Sequence, residues 1–159
     1  MLFDLIPLNE AGCRQAEEAA EKLADIDISA IYASPLKRAH KTAQIIGQYH
    51  DCEVSVEGRL IEQNFGIYEG LPRDDPEYQR AKRQYFSRYP EGGESFQDLS
   101  ARVYAFLKER REKHKGETVA AVTHNGIIRV IESYFGDLEN EEFVTFGIKN
   151  CEYRIYEID

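Results

Sequence analysis

The sequence predicts an α/β fold, a three-layer sandwich in which a mainly parallel sheet is flanked by helices. Short apolar segments alternate along the chain with longer amphipathic ones, which is the order expected of parallel strands joined by helices. One apolar segment, ETVAAVTH (117–124), is nonpolar on both alternating faces, as strands buried on both sides are. At 159 residues the chain is expected to form one domain, residues 1–159.

The first 56 residues contain two amphipathic and two apolar segments. Their periodicities predict a helix, a strand, a helix and a strand at residues 7–25, 28–34, 34–49 and 52–56. Asn9 is placed to cap the first helix, because its side chain can accept a backbone N–H of the first turn. Ser34 is placed to cap the second helix, with Pro35 in the first helical position, where a missing N–H costs nothing.

The later part of the chain repeats this alternation. It predicts a helix, a strand, a helix and a strand at residues 95–110, 117–124, 126–136 and 151–158. Ser95 and Asp98 form a capping-box sequence at the start of the first of these helices. Gly136 is expected to end the second helix. The final segment, CEYRIYEI, alternates only in part, which is typical of a strand near the edge of a sheet.

The composition excludes several classes of function. A net charge of −9 argues against general binding of nucleic acids or anionic membranes, although a local basic pocket remains compatible with it. Three cysteines without a CxxC spacing predict neither a disulfide framework nor a zinc site, and fit a reducing cytoplasm. No segment has the length of a transmembrane helix, and the first residues do not have the pattern of a signal peptide.

Two of the predicted strands end in polar residues that favour an anion site. Helix starts follow both ends, in YASPLKRA and VTHNG, and a helix N-terminus attracts anions. Ligands of open α/β sheets bind beyond the carboxyl ends of the strands. Arg38 and His124 lie at these two places, so together they predict a phosphate site. Taken alone, Arg38 is equally well a surface residue, and His124 is more often a buried residue satisfied by one hydrogen bond.

Five motifs occur in order and with compact spacing. They are DLIPLNEAGCRQA, IYASPLKRAHKTA, RLIEQNFGIYEG, YPEGGESFQDLSARV and AVTHNGIIRV. In this order they resemble the histidine phosphatase superfamily, which has the phosphoglycerate mutase-like fold, over nearly the whole chain. The resemblance implies phosphoryl transfer through a phosphohistidine, with no metal and no cofactor. Asn125 stands where the family often has glycine, and Asn tolerates the geometry of such a turn.

The resemblance also implies roles for four residues. Arg38, in the Ser-Pro-Leu-x-Arg-Ala motif, would bind the phosphoryl oxygens, for which its planar guanidinium is suited. His124 would donate to the transferring phosphoryl group, and Asn125 is expected to join these two in binding phosphate. Glu62 would protonate the leaving oxygen and then activate water. Without its flanking motif, Glu62 is more simply an exposed loop carboxylate.

One departure from the family pattern concerns the nucleophile. The family normally opens with a strand and an Arg-His-Gly motif whose histidine attacks phosphorus, whereas the first residues here align with the loop after that motif. The sequence therefore predicts a fold whose first strand is missing and a 159-residue form that is catalytically impaired, either because the native chain is longer or because it is a truncated form. His40, His50 and His114 are expected to be solvated surface residues, distant from the pocket.

The strand slot left open in this alignment also has a structural consequence. Unpaired backbone groups there would cost roughly 1–3 kcal/mol each. We expect that MLFDLI (1–6) takes the place of the strand, or that a second copy of the chain covers the edge, which leaves a homodimer open.

Two functions of different classes follow. The first is a phosphomonoester hydrolase of the histidine phosphatase family acting on a phosphorylated small molecule. The second is a non-catalytic phosphate-binding or regulatory module. Within the first, a phosphatase is favoured over a mutase, because only a short segment separates Gly70 from YPEGGES. That segment contains four arginines, which are expected to lie on a solvated helix, although a substrate with an acidic tail is not excluded: Arg73, Arg80, Arg83 and Arg88.

Overall fold

The structure is a computed structural model that describes residues 7–72, 74–84 and 86–158. Along the chain the helices and strands are α1 (Glu10–Leu23), β1 (Ile28–Ala33), α2 (Lys37–Gly47), β2 (Val54–Val56), α3 (Pro76–Ala81), α4 (Phe96–Lys113), β3 (Thr118–Val122), α5 (Asn125–Phe135) and α6 (Asn140–Thr145). Two short 3₁₀ helices, Gly58–Leu60 and Gly66–Tyr68, lie between β2 and α3. The expectation for residues 1–6 concerns a segment outside the described residues, as does the expectation for Arg73.

The three described strands form a parallel sheet with the order β2-β1-β3. β1 is central, and its side chains alternate between two apolar clusters. Tyr32 packs with α4 and α5, whereas Ile31 and Ala33 pack with α1 and α2. The sheet is therefore covered by helices on both faces, which confirms the predicted three-layer α/β arrangement.

The predicted helix starts are correct for α1 and α4. The Asn9 side chain accepts the N–H of Gly12, and Ser95 and Asp98 form the reciprocal capping box. The prediction for α2 is wrong, because that helix begins at Lys37 and its cap is Leu36. The hydroxyl of Ser34 instead accepts the N–H of Leu36 at 3.3 Å, which closes a tight turn before the helix. Because Leu36 is 2% exposed, its burial in the core keeps the chain extended up to the helix start.

The predicted strand at residues 151–158 is also wrong, because this segment has no regular structure. A strand requires a neighbour with which it exchanges backbone hydrogen bonds. β3 pairs with β1 on one side, and the described residues place no strand along its other side. Within the described ranges, none of the helices combines the length and apolar character that crossing a bilayer requires.

Candidate active site

The site lies at the carboxyl ends of β1 and β3, where the sequence predicts it. The backbone N–H of Ser34 donates to the carbonyl of Val122 at 2.9 Å, so the two strand ends remain side by side. This pairing places Ser34, which follows β1, next to His124, which follows β3. His124 is the N-cap residue of α5, and its ring therefore lies at a helix start. A helix start offers free N–H groups to an anion.

The imidazole of His124 lies between a hydroxyl and a guanidinium group. Its Nε2 is 2.8 Å from Ser34 Oγ, and its Nδ1 is 3.4 Å from Nη2 of Arg38. Ser34 is fully buried, and His124 is 9% exposed. Arg38 on α2 and His124 at the start of α5 thus lie within hydrogen-bonding distance of each other, and both are residue types that can bind a phosphoryl oxygen.

Burial, together with the charges of Arg38 and Arg102, lowers the pKa of His124 to about 3. Both causes penalise the imidazolium form, burial through lost hydration and the arginines through repulsion. The ring is therefore neutral at neutral pH in the empty site.

Glu62 forms the other half of the site. Its carboxylate accepts the N–H of Gln63 at 2.9 Å and that of Gly126 at 3.4 Å. Burial raises the pKa of Glu62, while these hydrogen bonds and the charges of Arg129 and Arg38 act in the opposite direction. A raised pKa favours the protonated carboxyl group, which is the form that a general acid requires.

Gly126 allows this close approach of Glu62 to α5. A Cβ atom built at Gly126 would lie 2.3 Å from Oε1 of Glu62. A contact that short forces the carboxylate to move. The glycine after Asn125 is thus explained by packing against the carboxyl group.

A charged pair holds the segment that carries Glu62. The guanidinium of Arg102 binds both carboxylate oxygens of Glu94, at 2.8 and 3.0 Å. It also donates to the carbonyls of Arg59, at 2.5 Å, and Glu62, at 3.4 Å. The carboxylate of Glu94 accepts the N–H of Asn64 at 3.0 Å. Arg102 and Glu94 therefore fix the backbone on both sides of Glu62.

The structure brings three of the four predicted site residues together. Arg38 contacts His124 directly, and its charge acts on the carboxyl group of Glu62. Asn125 is different, because its side chain exchanges two hydrogen bonds with the backbone of Ile148, at 2.9 and 3.1 Å. The amide of Asn125 thus anchors residue 148, and the expectation that this side chain binds phosphate is not supported.

The expectation for the remaining histidines is wrong in part. His114 is not a solvated residue, because its side chain is 10% exposed. Its ring bonds to the hydroxyl of Tyr32 and to Glu117, each at 2.7 Å. His40 and His50 are half-buried on and after α2. The hydrogen-bonded group of Ser34, Arg38 and His124 includes none of these three histidines.

Sequence reasoning missed Ser34 as a partner of His124, and it missed Glu94 and Arg102. The position of Arg102 gave a signal, because it lies three residues after Leu99 and one before Val103, at the edge of the buried face of α4. A charged residue at such a position requires a partner. No local pattern in the sequence could identify His124 as the partner of Ser34, because the two residues are 90 positions apart.

A small cleft of about 20 Å³ is lined by Gln63 and Gly126, the two residues whose N–H groups Glu62 accepts. Two cations line it, Lys82 and Arg129, together with Tyr89. Arg129 also donates to the carbonyl of Phe146 at 3.3 Å. Across the described part of the chain, no three histidine, cysteine or acidic side chains are grouped as metal ligands.

Comparison with known proteins gives a family match over almost the whole chain. The profile of the histidine phosphatase superfamily (branch 1) matches residues 5–159. Phosphoserine phosphatase 1 of Hydrogenobacter thermophilus is 31% identical over 160 residues, which cover 96% of this chain and 75% of that protein. The 2,3-bisphosphoglycerate-dependent phosphoglycerate mutase of Thermoplasma acidophilum is 33% identical over 159 residues, with 96% and 74% covered. The chain covers 58% of phosphoglycerate mutase-like protein 4 of Arabidopsis thaliana, with 38% identity over 138 residues.

Solved structures agree with this match. A mycobacterial glucosyl-3-phosphoglycerate phosphatase, in complex with VO₃, superposes with a TM-score of 0.78 and 30% identity, covering 91% of this chain and 76% of that one. This similarity confirms the phosphoglycerate mutase-like fold predicted from the five motifs. On the profile match and these relatives together, the chain belongs to the histidine phosphatase superfamily.

Proposed function

We propose that the site binds the phosphoryl group of a phosphomonoester and that its residues serve hydrolysis of that ester. The observation that carries the proposal is the convergence of Arg38 and His124, in contact at 3.4 Å, with the half-buried carboxyl group of Glu62. Arg38 binds the phosphoryl oxygens, His124 donates to one of them, and Glu62 provides the proton for the leaving oxygen. Positioning and charge stabilisation of this kind are most of what phosphoryl transfer requires.

In the complete reaction of this family, the phosphoryl group passes from the ester oxygen to a histidine nitrogen. The P–O bond to the alcohol breaks as the P–N bond forms, and Glu62 gives its proton to the leaving oxygen. Water then loses a proton to Glu62, its oxygen bonds to phosphorus, and the P–N bond breaks.

The described residues of the pocket include no candidate for the histidine nitrogen that attacks phosphorus. The sequence has four histidines, and His124 is the one in the described pocket, with both ring nitrogens engaged. We therefore propose that these 159 residues alone turn over phosphomonoesters at most in trace. The same observation favours the second candidate function, a non-catalytic module that binds phosphate.

The leaving-group side of the pocket supports a phosphatase whose substrate carries a second anionic group. Lys82 and Arg129 line the cleft beside Glu62, where the alcohol part of the ester would lie. Arg80, Arg83 and Arg88 are exposed, which supports a surface role for them. We also propose a single domain and a cytoplasmic location, the latter supported by three free cysteines, and we leave homodimer formation as a proposal.

Calorimetric titration with inorganic phosphate, run beside p-nitrophenyl phosphate hydrolysis, tests the proposal. Arg38→Met should weaken phosphate binding by about 10- to 100-fold, because hydrogen bonds to charged groups contribute roughly 1.5–3 kcal/mol. Arg111→Met, at an exposed position on α4, is the matched control and should leave the affinity within about twofold.

Binding without turnover would favour the module, whereas turnover abolished by His124→Ala would mean that another group attacks phosphorus. Equal affinities of the Arg38 and Arg111 variants would refute the site itself.

A further inference from the structure

The hydrogen bonds of His124 identify the nitrogen that carries its proton. A guanidinium group can only donate, so the contact of Arg38 Nη2 with Nδ1 at 3.4 Å makes Nδ1 the acceptor. The single proton of the neutral ring is then on Nε2, which donates to Ser34 Oγ at 2.8 Å. The same oxygen accepts the N–H of Leu36. Ser34 is therefore held as an acceptor on the side of the ring that faces the protein core.

In this arrangement the side of the ring opposite Ser34, where a phosphoryl group would enter, carries the lone pair of Nδ1, and a phosphoryl group takes the place of Arg38 as its neighbour. The dianion of a phosphomonoester or of a phosphonate has only lone pairs on its oxygens, and an oxygen of this kind cannot hydrogen-bond to an unprotonated Nδ1. A contact between the two requires one additional proton. Resting on the proposed function, we infer that the pocket binds the dianion of a phosphomonoester together with one proton, shared between Nδ1 of His124 and a phosphoryl oxygen, and that Ser34 is the positioning residue that imposes this requirement.

The charges around the ring agree with this inference. Arg38 from α2 and Arg102 from α4 both repel an imidazolium in the empty pocket, and burial disfavours it as well, which together bring the pKa of His124 to about 3. An incoming dianion reverses the balance, because its two negative charges favour the imidazolium more than the arginines oppose it. The proton comes from solvent and forms an N–H bond at Nδ1, so buffer supplies about one proton for each dianion bound.

Nitrogen-15 NMR of the histidine ring and calorimetry in buffers of different ionisation enthalpy test the inference on the full 159-residue chain. In the free protein, Nε2 should give the shift of a protonated nitrogen and Nδ1 that of an unprotonated one. Saturation at pH 8 with phenylphosphonate, whose dianion carries no O–H group, should move the Nδ1 signal to the protonated range. Calorimetry should show uptake of about one proton, and the affinity should fall about tenfold per pH unit above pH 8.

Three variants locate the proton. Glu62→Gln should keep the uptake, because the proton goes to the imidazole. Ser34→Ala removes the acceptor of Nε2–H, so the proton can move to Nδ1 and the uptake should fall well below one. Ser133→Ala, which removes a hydroxyl bonded to the carbonyl of Val130 on α5, is the matched control and should keep the uptake.

Phenylphosphonate binding without proton uptake, or a protonated Nδ1 in the free protein, would overturn the inference and leave the proposed function intact. Loss of the uptake in Glu62→Gln would also overturn it, because the proton would then belong to the carboxyl group. Absence of any phosphate binding would overturn the proposed function and the inference together, although the ring signals of the free protein would still report the proton position.

Discussion

The neutral state of His124 predicts a specific dependence of stability on pH. The folded chain holds the pKa of this ring at about 3, against 6.5 for an ordinary histidine. Below pH 6.5 the unfolded chain therefore binds a proton that the folded chain does not. Stability is thus lost as the pH falls from 6.5 towards 3, and it is fully present above 6.5.

The size of the effect follows from the two pKa values. When the pH falls from 7 to 5, proton binding by the unfolded chain raises the equilibrium constant for unfolding about 25-fold. This corresponds to a loss of about 2 kcal/mol in the free energy of unfolding. Because His124 is 9% exposed, solvent screening reduces this figure little. A loss of about 2 kcal/mol is a large fraction of the 5–15 kcal/mol that stabilises a typical domain.

Urea denaturation at pH 7, 6 and 5 measures the effect, with His124→Gln as the comparison. Other groups titrate in both chains, so the difference between the two pH dependences isolates this ring. The variant should lose about 2 kcal/mol less than the wild-type chain between pH 7 and 5. Arg38→Met keeps the ring but removes one repelling charge. Its loss of stability between pH 7 and 5 should therefore lie between those of the wild-type chain and His124→Gln. Equal losses in wild type and His124→Gln would refute the assignment of a neutral, buried imidazole.

Three further predictions concern the parts around this ring. Gly126→Ala should reduce phosphate binding or turnover at least tenfold by displacing Glu62, whereas Gly136→Ala, whose Cβ would lie 3.5 Å from the nearest atom, should not; equal effects would contradict the packing argument. Arg102→Met should cost about 2–4 kcal/mol in urea denaturation, because it leaves Glu94 half-buried without its guanidinium, against less than about 1 kcal/mol for Arg88→Met at an exposed pair. Arg129→Met should weaken calorimetric binding of phosphoserine more than that of inorganic phosphate, and an equal loss would exclude a contact with the leaving group.

The local parts of this fold could be predicted from the sequence, because their causes are local. Asn9 and Ser95 cap helices through bonds to residues three positions away, and both caps are present. The prediction of a strand at residues 151–158 was wrong because a strand depends on a non-local partner. Its alternation is a local property, whereas a strand exists only where another strand offers unpaired backbone groups, and the segment itself does not show whether such a neighbour is present.

The same distinction separates the site residues that were predicted from those that were missed. Arg38, Glu62 and His124 were found because each stands in a recognisable motif at a strand end or in a loop. Ser34 was interpreted as a helix cap, which is the commonest role of a serine before a helix. Its actual bond to His124 spans the sheet and depends on the pairing of β1 with β3. Contacts of that kind follow from the fold and become visible only once it is known.

Burial shifts the pKa values of His124 and Glu62 in opposite directions, and in both cases it disfavours the charged form. It lowers the pKa of His124 and raises that of Glu62, so for each group burial favours the uncharged form. The guanidinium of Arg38 keeps its charge under the same conditions, since arginine does not lose its proton in proteins. The pocket therefore presents a cation beside a neutral imidazole and a carboxyl group whose protonated form burial favours. An anion gains the attraction of Arg38, and it brings the imidazole into its charged form only by binding.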